Sequence, residues 1–496
     1  MKKIHIYILS IVALAGMISI SSCTKELGEL NIDPNNSTNA TPDQLIGPAV
    51  YETLAINLNR SHRLNGDLMQ DHVTRIDGDE VHRYVIRPNE SDYLWNNWYL
   101  KLTNFKDIYN SGEATGSKTY MAIGLICQAW VYSLLTDTFG DIPYSEANRG
   151  REGLLTPKFD AQKDIYTDIF AKLDSANNLL KTPTTTLTLD QIKNDVLFGN
   201  ATSATAYASS WRKFGNSLYL RLLMRVSAKN ELVANGMTPA DKIRDIAQTN
   251  SANYPIFTNN SESAIVKFTG VSPLFSPFYL WRDYDWNGSI SLGQFFVNNL
   301  KEWGDPRIER WATKSQNVYE GIPSGYEQTK VPEARSTYPV ALKTEALLGN
   351  IMNYPELQFI LAEAALKGYI SGSPKTYYDS GVINGITLWG YAVPADYLIN
   401  PELAWNDSEL EDVKMEKIMT QKYYDMFFTD FQQWFEYRRT GKPTLPKGEG
   451  LRNNGEMPSR LYYPIFLQSL NGANYNAAVA AMGSDDLNTK MWWQKN

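Results

Sequence analysis

The segment YMAIGLICQAWVYSLLTDTFGDIPY occupies residues 120–144 of the chain. From Tyr120 to Asp137 it is apolar almost all round, which is typical of a helix buried in a protein core. Gly140 can adopt the left-handed conformation that often ends a helix, and Pro143 prevents the helix from continuing. The segment therefore predicts a buried helix in a mainly α-helical protein.

Further helices are predicted on both sides of this segment. Thr41 and Pro42 have the order of an N-cap followed by proline at the first helical position, and they predict a helix through Leu54. Asp160 is predicted to cap a helix with apolar residues at spacings of three and four, namely Ile165, Ile169, Leu173, Ala176 and Leu180. The remaining predicted helices span residues 91–109, 208–227, 354–367, 410–438 and 473–482.

Long irregular stretches separate these helices, at residues 184–206, 250–292, 313–350 and 371–408. They are rich in Gly, Pro, Ser, Asn, Trp and Tyr. Loops of this length inside a compact protein are usually functional. The expected architecture is a helical scaffold that carries loop-rich excursions for ligand binding, with little β structure.

The N-terminus has the layout of an export signal. Two lysines precede a mostly apolar run at residues 4–20, and two small serines come directly before Cys23. The sequence from Ile20 to Cys23 looks like a bacterial lipobox, whose cysteine is acylated; an ordinary signal peptide with a chance cysteine is the alternative. The predicted organisation is a signal peptide at 1–22, a lipidated tether at 23–40 and a single domain at 41–496.

The predicted anchor places the protein on a membrane. Acyl chains gain about 0.8 kcal/mol per CH₂ buried in lipid, so several chains on Cys23 hold a protein firmly. Glu26 and Glu29 follow the cysteine closely. Acidic residues at this place resemble the surface-export signal of Bacteroidetes lipoproteins, which implies an outer-membrane protein that faces the cell exterior.

Composition excludes some partners and favours others. The formal net charge is −7, and loss of the two lysines of the signal peptide makes it −9. A negative chain without a basic tract does not suit nucleic acid. If Cys23 is acylated, Cys127 has no partner for a disulfide. The 13 Trp and 30 Tyr suit contacts with sugars and interfaces, although most of them must lie in the core.

Several short motifs, in order along nearly the whole chain, resemble the SusD/RagB family of outer-membrane nutrient-binding lipoproteins. One departure is Leu467, where the family pattern Tyr-Pro-x-x-Glu has Glu. The motifs are Asp33-Pro34-Asn35, Trp95-Asn96-Asn97-Trp98-Tyr99, Phe139-Gly140-Asp141-Ile142-Pro143-Tyr144, Asp305-Pro306-Arg307, Asn353-Tyr354-Pro355-Glu356, Gln421-Lys422-Tyr423, Arg438-Arg439-Thr440-Gly441 and Pro458-x-Arg460-x-x-Tyr463-Pro464.

The resemblance implies a fold and a partner. It implies helix pairs similar to tetratricopeptide repeats, and a SusC-like, TonB-dependent barrel for which this protein is the lid. It implies that the protein binds a nutrient, with an oligosaccharide expected first and peptide or other cargo as alternatives. A purely structural lid, with ligand contacts made mostly by the barrel, is a further alternative.

Motifs of catalysis are absent from the sequence. There is no G-x-S-x-G, no phosphate-binding loop and no H-E-x-x-H. A surface glycoside hydrolase is the alternative function, because two carboxylates suffice for that chemistry; Asp137 with Asp141, or Asp283 with Asp285, could supply them. His62, His72 and His82 lie ten residues apart, a spacing that does not place them on one helical face as zinc ligands.

Residues 283–294 partly match a calcium-binding loop. Asp283, Asp285 and Asn287 stand at alternating positions before Gly288, and such oxygen ligands with glycine at the turn suit a hard cation. Gln294 occupies the last position, where a bidentate carboxylate is needed. The alternative is an Asx turn whose side chains bond their own backbone.

The same segment is the first candidate for ligand binding. A sugar ring needs a flat aromatic platform with amides or carboxylates beside it, and charged residues alternate here with aromatic ones. Burying every ring would strand those charges, so at least one ring is expected to be exposed. The alternative is that Trp281 and Trp286 only attach the loop to the scaffold. The candidate ligand-binding residues are Trp281, Tyr284, Trp286 and Asn287, with Trp389 and Tyr391 of the predicted 381–391 loop as second choice.

Overall fold

Helices account for most of the regular structure in residues 40–495, the part of the chain that the computed structural model describes. The predicted signal peptide, the lipidation site Cys23 and nearly all of the predicted tether lie outside the described residues. The chain divides into two units, Met1–Thr41 and Pro42–Asn496. The described helices and strands all belong to the second unit.

The helices follow one another with short turns or long loops between them. The prediction of a mainly α-helical scaffold with minor β structure is confirmed. The helices are α1 (Pro42–Leu68), α2 (Glu90–Thr115), α3 (Lys118–Phe139), α4 (Gln162–Lys181), α5 (Leu189–Ile192), α6 (Ala204–Arg225), α7 (Pro239–Arg244), α8 (Gln294–Glu302), α9 (Ile308–Trp311), α10 (Tyr354–Leu366), α11 (Pro374–Leu388), α12 (Glu411–Asp425), α13 (Gln432–Thr440), α14 (Leu467–Leu470) and α15 (Gly472–Met482).

In the described residues, six short strands form three antiparallel pairs. They are β1 (His72–Thr74), β2 (Ile142–Pro143), β3 (Phe159–Asp160), β4 (Ala264–Ile265), β5 (Ile290–Leu292) and β6 (Asn350–Met352). The pairs are β1 with β5, β2 with β3, and β4 with β6. In the first pair Thr74 lies opposite Ile290, so the segment that follows α1 is held against the segment that carries Trp281 and Trp286.

Helix α3 lies at the centre of the helical core, as its sequence predicts. It packs between α2 and α4. Ser117 accepts a hydrogen bond at its N-terminus, and at its C-terminus the Gly140 N–H donates to the Thr136 carbonyl at 2.8 Å. Within the described residues it is the one helix long and apolar enough to cross a membrane, and 89% of its most apolar window is buried inside the protein. The apolar stripe of α4 is buried against it.

Two predicted helix features are wrong. Asp160 does not cap α4; its carboxylate accepts hydrogen bonds from the Tyr144 and Ser145 backbone, and Asp141 instead accepts from the Gln162 N–H at 2.8 Å. The predicted helix at 410–438 is two helices, α12 and α13. Phe428 and Asp430 between them have φ of 60° and 40°, which a right-handed helix does not allow.

The predicted irregular stretch at 371–408 is also partly wrong, because it contains helix α11. Pro374 begins that helix as a residue already suited to the first turn. The glycines at 381 and 385 lie inside the helix, and Gly381 lets α11 approach Phe359 of α10: a Cβ on it would lie 2.6 Å from the Phe359 ring. Gly381, which suggested a loop, therefore lies inside a helix and allows that helix to pack closely on α10.

Candidate functional site

A cleft of about 510 Å³ lies where the end of α1 meets the 281–290 segment. The β1–β5 pair forms one wall, and a hydrogen bond from the Arg75 N–H to the Ser289 carbonyl, 2.8 Å long, extends it. The lining combines two aromatic side chains with cationic, amide, hydroxyl and imidazole groups. The lining residues are Asn59, Arg60, His62, Arg63, His72, Thr74, Trp281, Tyr284, Asp285, Ser289 and Ile290.

The segment beside the cleft forms a π-helical turn, Tyr284–Gly288. The Arg282 guanidinium donates to both carboxylate oxygens of Asp285 at 2.7 Å, one turn away. Gly288 leaves room for the Tyr284 ring, since a Cβ on it would lie 2.5 Å from that ring. The Arg282–Asp285 ion pair and the absence of a side chain at Gly288 therefore fix the local position of Tyr284.

Tyr284 and Trp281 are the two aromatic residues of the cleft. Tyr284 is 69% exposed, which confirms that at least one ring of this segment faces solvent. Trp281 is half-buried, and its ring meets His62 and Phe278 edge to face at centroid distances of 5.5 and 5.0 Å. The two candidates therefore share one accessible surface, with Trp281 held in place by the core behind it.

Trp286 and Asn287 do not line this cleft. Trp286 is 0% exposed, and its indole N–H donates to the Pro339 carbonyl at 3.1 Å. The Asn287 amide donates to the Tyr338 carbonyl at 2.7 Å. The full burial of Trp286 corrects its assignment to ligand binding, and Asn287 attaches the turn to the scaffold without lining the cleft. The alternative that the tryptophans only attach the loop holds for Trp286.

The second pair of candidates also lies elsewhere. Trp389 follows helix α11, is 8% exposed, and meets the Trp311 ring edge to face at 5.0 Å. Tyr391 is half-buried and packs against the hydrophobic core. Neither residue lines the cleft of Trp281, because the predicted loop at 381–391 is largely a packed helix.

Two histidines line the inner end of the cleft. His62 and His72 have ring centroids 5.2 Å apart, although a spacing of ten residues keeps them off one helical face. Burial lowers the pKa of the His62 imidazole to about 4 and lowers the pKa of His72 well below its usual value. Both rings are therefore neutral at pH 7. In the described part of the chain no three His, Cys, Asp or Glu side chains are grouped as a metal site needs.

The positive charge of the cleft comes from two arginines that the sequence did not single out. Arg63 forms ion pairs with Glu80 at 2.5 Å and Glu90 at 2.7 Å. Arg60 lies over the Tyr93 ring at 4.4 Å, and its buried Nε has no hydrogen-bond partner. A surface arginine on a helix carries no sequence signal for a site, so these residues were found only through the fold.

Residues 283–294, which partly match a calcium-binding loop, instead form a π-helical turn, strand β5 and the start of helix α8. Asp283 forms an ion pair with Lys343 at 2.9 Å, and Asp285 gives both of its oxygens to Arg282. Asn287 turns its amide to the scaffold. These partners and the π-helical turn give calcium binding no support. They also differ from the alternative of an Asx turn, because the side chains bond Arg282, Lys343 and the Tyr338 carbonyl.

The carboxylates nominated for glycoside hydrolysis have other partners in the structure. Asp137 is 1% exposed and pairs with Arg225 at 2.7 Å inside the core. Asp283 and Asp285 are each held by a cation. Asp285 is the one carboxylate among the lining residues of the cleft. A glycosidase needs two carboxylates on either side of the scissile bond, and this cleft does not offer them.

A larger groove, of about 970 Å³, lies on another part of the surface. It runs between the start of α1 and the loops at 193–200 and 261–274. Its lining includes one aromatic side chain, Phe198, which is 6% exposed. Because a sugar stacks on an exposed ring, the smaller cleft suits a saccharide better than this groove.

Comparisons with known proteins agree with the motifs. Residues 34–464 match the SusD-like family described as "Starch-binding associating with outer membrane". No curated protein sequence matches the chain.

Solved structures share the fold over almost the whole chain. A SusD homologue from Bacteroides fragilis has a TM-score of 0.75 at 23% identity, covering 92% of this chain and 100% of that one. A chitin-binding protein has a TM-score of 0.74 at 26% identity, with the same two coverages of 92% and 100%. A chitin-binding SusD homologue from Flavobacterium johnsoniae has a TM-score of 0.74 at 21% identity, covering 90% of this chain and 99% of that one.

Proposed function

Because this chain belongs to the SusD-like family, we propose that it captures an oligosaccharide at the outer membrane and holds it in the cleft beside Trp281 and Tyr284. The observation that carries the proposal is the exposed Tyr284 ring beside the half-buried Trp281 in one cleft. Two of the similar solved structures are chitin-binding proteins, which supports a glycan as the cargo.

The chemistry of the cleft suits a sugar. The C–H face of a pyranose packs on an aromatic ring, while its hydroxyls need hydrogen-bond donors and acceptors around it. The side chains of Asn59, Thr74 and Ser289 supply neutral polar groups in the same cleft. The lining residues include a single carboxylate, and it is ion-paired, which supports binding without hydrolysis as part of the proposal.

Truncation of the rings tests this proposal. The full-length lipoprotein in detergent is screened on a glycan array, and the affinity for its best ligand is measured by calorimetry. Tyr284→Ala and Trp281→Ala are each expected to weaken binding about tenfold, since a stacked ring contributes roughly 1–3 kcal/mol, with 1.4 kcal/mol equal to tenfold. Tyr279→Ala is the control, because Tyr279 is exposed outside the cleft. Unchanged affinity in both cleft variants would contradict the site.

Incubation with the same glycans separates binding from hydrolysis. We expect no new reducing ends after prolonged incubation of the purified protein with its ligand. Release of shorter oligosaccharides that persists in Tyr284→Ala would favour the alternative of a surface glycoside hydrolase.

The proposed cycle also needs an anchor and a transporter. A tethered binder does not move cargo through a membrane, so we propose acylation at Cys23 and a SusC-like, TonB-dependent barrel as partner. Cys23→Ala is expected to leave the protein soluble or uncleaved, and affinity purification of the wild type from solubilised outer membranes is expected to recover the barrel. Membrane retention of Cys23→Ala would contradict the anchor, and purification without a barrel would contradict the partner.

A further inference from the structure

The cleft contains an arginine, Arg60, that has no ion-pair partner among the residues that the structure describes. Among residues 40–495, no side chain forms an ion pair or a hydrogen bond with the Arg60 guanidinium, and its contact is the face of Tyr93. Arg60 is half-buried, so water solvates its charge only in part. An arginine in such a place gains more from an anionic partner than a fully solvated arginine does.

The other charged groups of the cleft are already paired. Arg63 is held between Glu80 and Glu90, and Asp285 is held by Arg282. His62 and His72 remain neutral at pH 7 because burial lowers the pKa of each imidazole. A ligand therefore meets an aromatic platform beside an arginine, Arg60, that forms no ion pair with any described residue.

We propose that the cleft takes an acidic oligosaccharide whose carboxylate or sulfate pairs with Arg60 while a sugar ring packs on Trp281 and Tyr284. This rests on the proposed glycan-binding function and names the class of glycan. The planar guanidinium offers two parallel N–H donors, which match two oxygens of a carboxylate or sulfate. A neutral glycan would leave the Arg60 guanidinium without an ion-pair partner in the complex as well.

Four hexasaccharides test the charge of the ligand. Oligogalacturonate carries carboxylates alone, κ-carrageenan oligosaccharide carries sulfates alone, and maltohexaose and chitohexaose are neutral. We expect the wild-type lipoprotein in detergent to bind one of the acidic probes most tightly, and to bind it more weakly as NaCl is raised, since salt screens the pairing. Which acidic probe binds distinguishes carboxylate from sulfate recognition.

Variants of Arg60 test the residue. Arg60→Met is expected to weaken binding of the acidic probe about tenfold or more, because a charge-assisted hydrogen bond is lost, and Arg60→Lys is expected to retain part of the affinity. Arg151→Met is the control, since it removes the same charge from an exposed turn outside the cleft. Melting temperatures show whether each variant is folded.

The outcomes separate this inference from the function on which it rests. Preferred binding of a neutral probe, with unchanged affinity in Arg60→Met and a loss in Tyr284→Ala, overturns the acidic ligand and keeps the glycan site. A tight acidic probe that is insensitive to Arg60→Met also overturns the inference. Binding of none of the four probes overturns it, and the glycan array with the Tyr284 and Trp281 variants then decides the glycan-binding function separately.

Discussion

Tyr284 and Trp286 lie two residues apart in one turn, yet their side chains have opposite environments. The Tyr284 ring faces solvent, whereas the Trp286 ring packs among His62, Phe278 and Phe428, with centroids 4.9–5.9 Å away. At the scale of single residues, Tyr284 is therefore available to a ligand, whereas Trp286 stabilises the fold.

We expect substitutions at these two positions to have separate effects. Trp286→Ala should lower the free energy of unfolding by about 3–5 kcal/mol, because it empties a buried site for a large ring. Tyr284→Ala should lower it by less than about 1 kcal/mol, since little of that ring is packed. Urea unfolding measures both values. A small effect of Trp286→Ala would contradict its role in the core.

A buried histidine makes stability depend on pH. The His82 Nδ1 accepts a hydrogen bond from the Gly325 N–H at 3.2 Å, and its ring stacks on Tyr326. Burial, aided by the charge of Arg83, lowers the His82 pKa to about 3. The unfolded chain takes up this proton below about pH 6.5, while the folded protein does not until about pH 3.

The His82 contribution to stability is therefore present above about pH 6.5 and is lost as the pH falls toward 3. The slope reaches about 1.4 kcal/mol per pH unit. His82→Gln should reduce the loss of stability between pH 7 and pH 5, measured by urea unfolding at each pH. The other buried histidines and carboxyl groups are common to both proteins, so the difference reports on His82. Parallel pH profiles would contradict the prediction.

At the scale of elements, the end of helix α3 depends on one glycine. Gly140 has a φ of 87°, a conformation that side chains rarely adopt, and a Cβ there would lie 2.7 Å from the Met482 sulfur of α15. Gly140→Ala should therefore lower the free energy of unfolding by about 1–3 kcal/mol. Gly150→Ala is the control, because a Cβ at that position meets no atom within 4 Å. Equal stability of the two variants, measured by thermal unfolding, would show that the helix end tolerates a side chain.

At the scale of the whole molecule, buried charges join helices that are distant in sequence. Arg225 of α6 pairs with Asp137 of α3 at 2.7 Å and with Glu436 of α13 at 3.1 Å. Lys422 of α12 pairs with the same Glu436 at 2.8 Å. These pairs fix the orientation of four helices, because a misplaced helix would leave a charge unpaired in the core.

Removal of the central cation should therefore destabilise the protein strongly. Arg225→Met is expected to lower the free energy of unfolding by about 3–5 kcal/mol, because it leaves Asp137 without its cation in the core. Arg244→Met, which breaks an exposed pair with Asp241, should cost less than about 1 kcal/mol. Urea unfolding of both variants makes the comparison, and similar losses would contradict the role of the buried pairs.

Local patterns in the sequence were sufficient for much of the helical scaffold. The stripe from Ile165 to Leu180 is buried as its periodicity predicts, and Gly140 ends α3. Periodicity predicts burial there because residues three and four apart lie on the same face of a helix, which packs against the core. It failed at 410–438, where apolar residues continue through a break, and in α11, where glycines serve packing.

The sequence by itself determined that this chain is a mainly helical member of the SusD-like family, since helix periodicity and ordered motifs are properties of local residues. Tertiary structure alone decided that Tyr284 is exposed, that Trp286 is buried and that Arg60 has no ion-pair partner within residues 40–495. An irregular segment has no helical or strand periodicity, so its sequence does not predict which side chains are buried and which face solvent. The cleft that Arg60 lines includes Trp281 and Tyr284, more than two hundred positions away, which the fold brings beside α1.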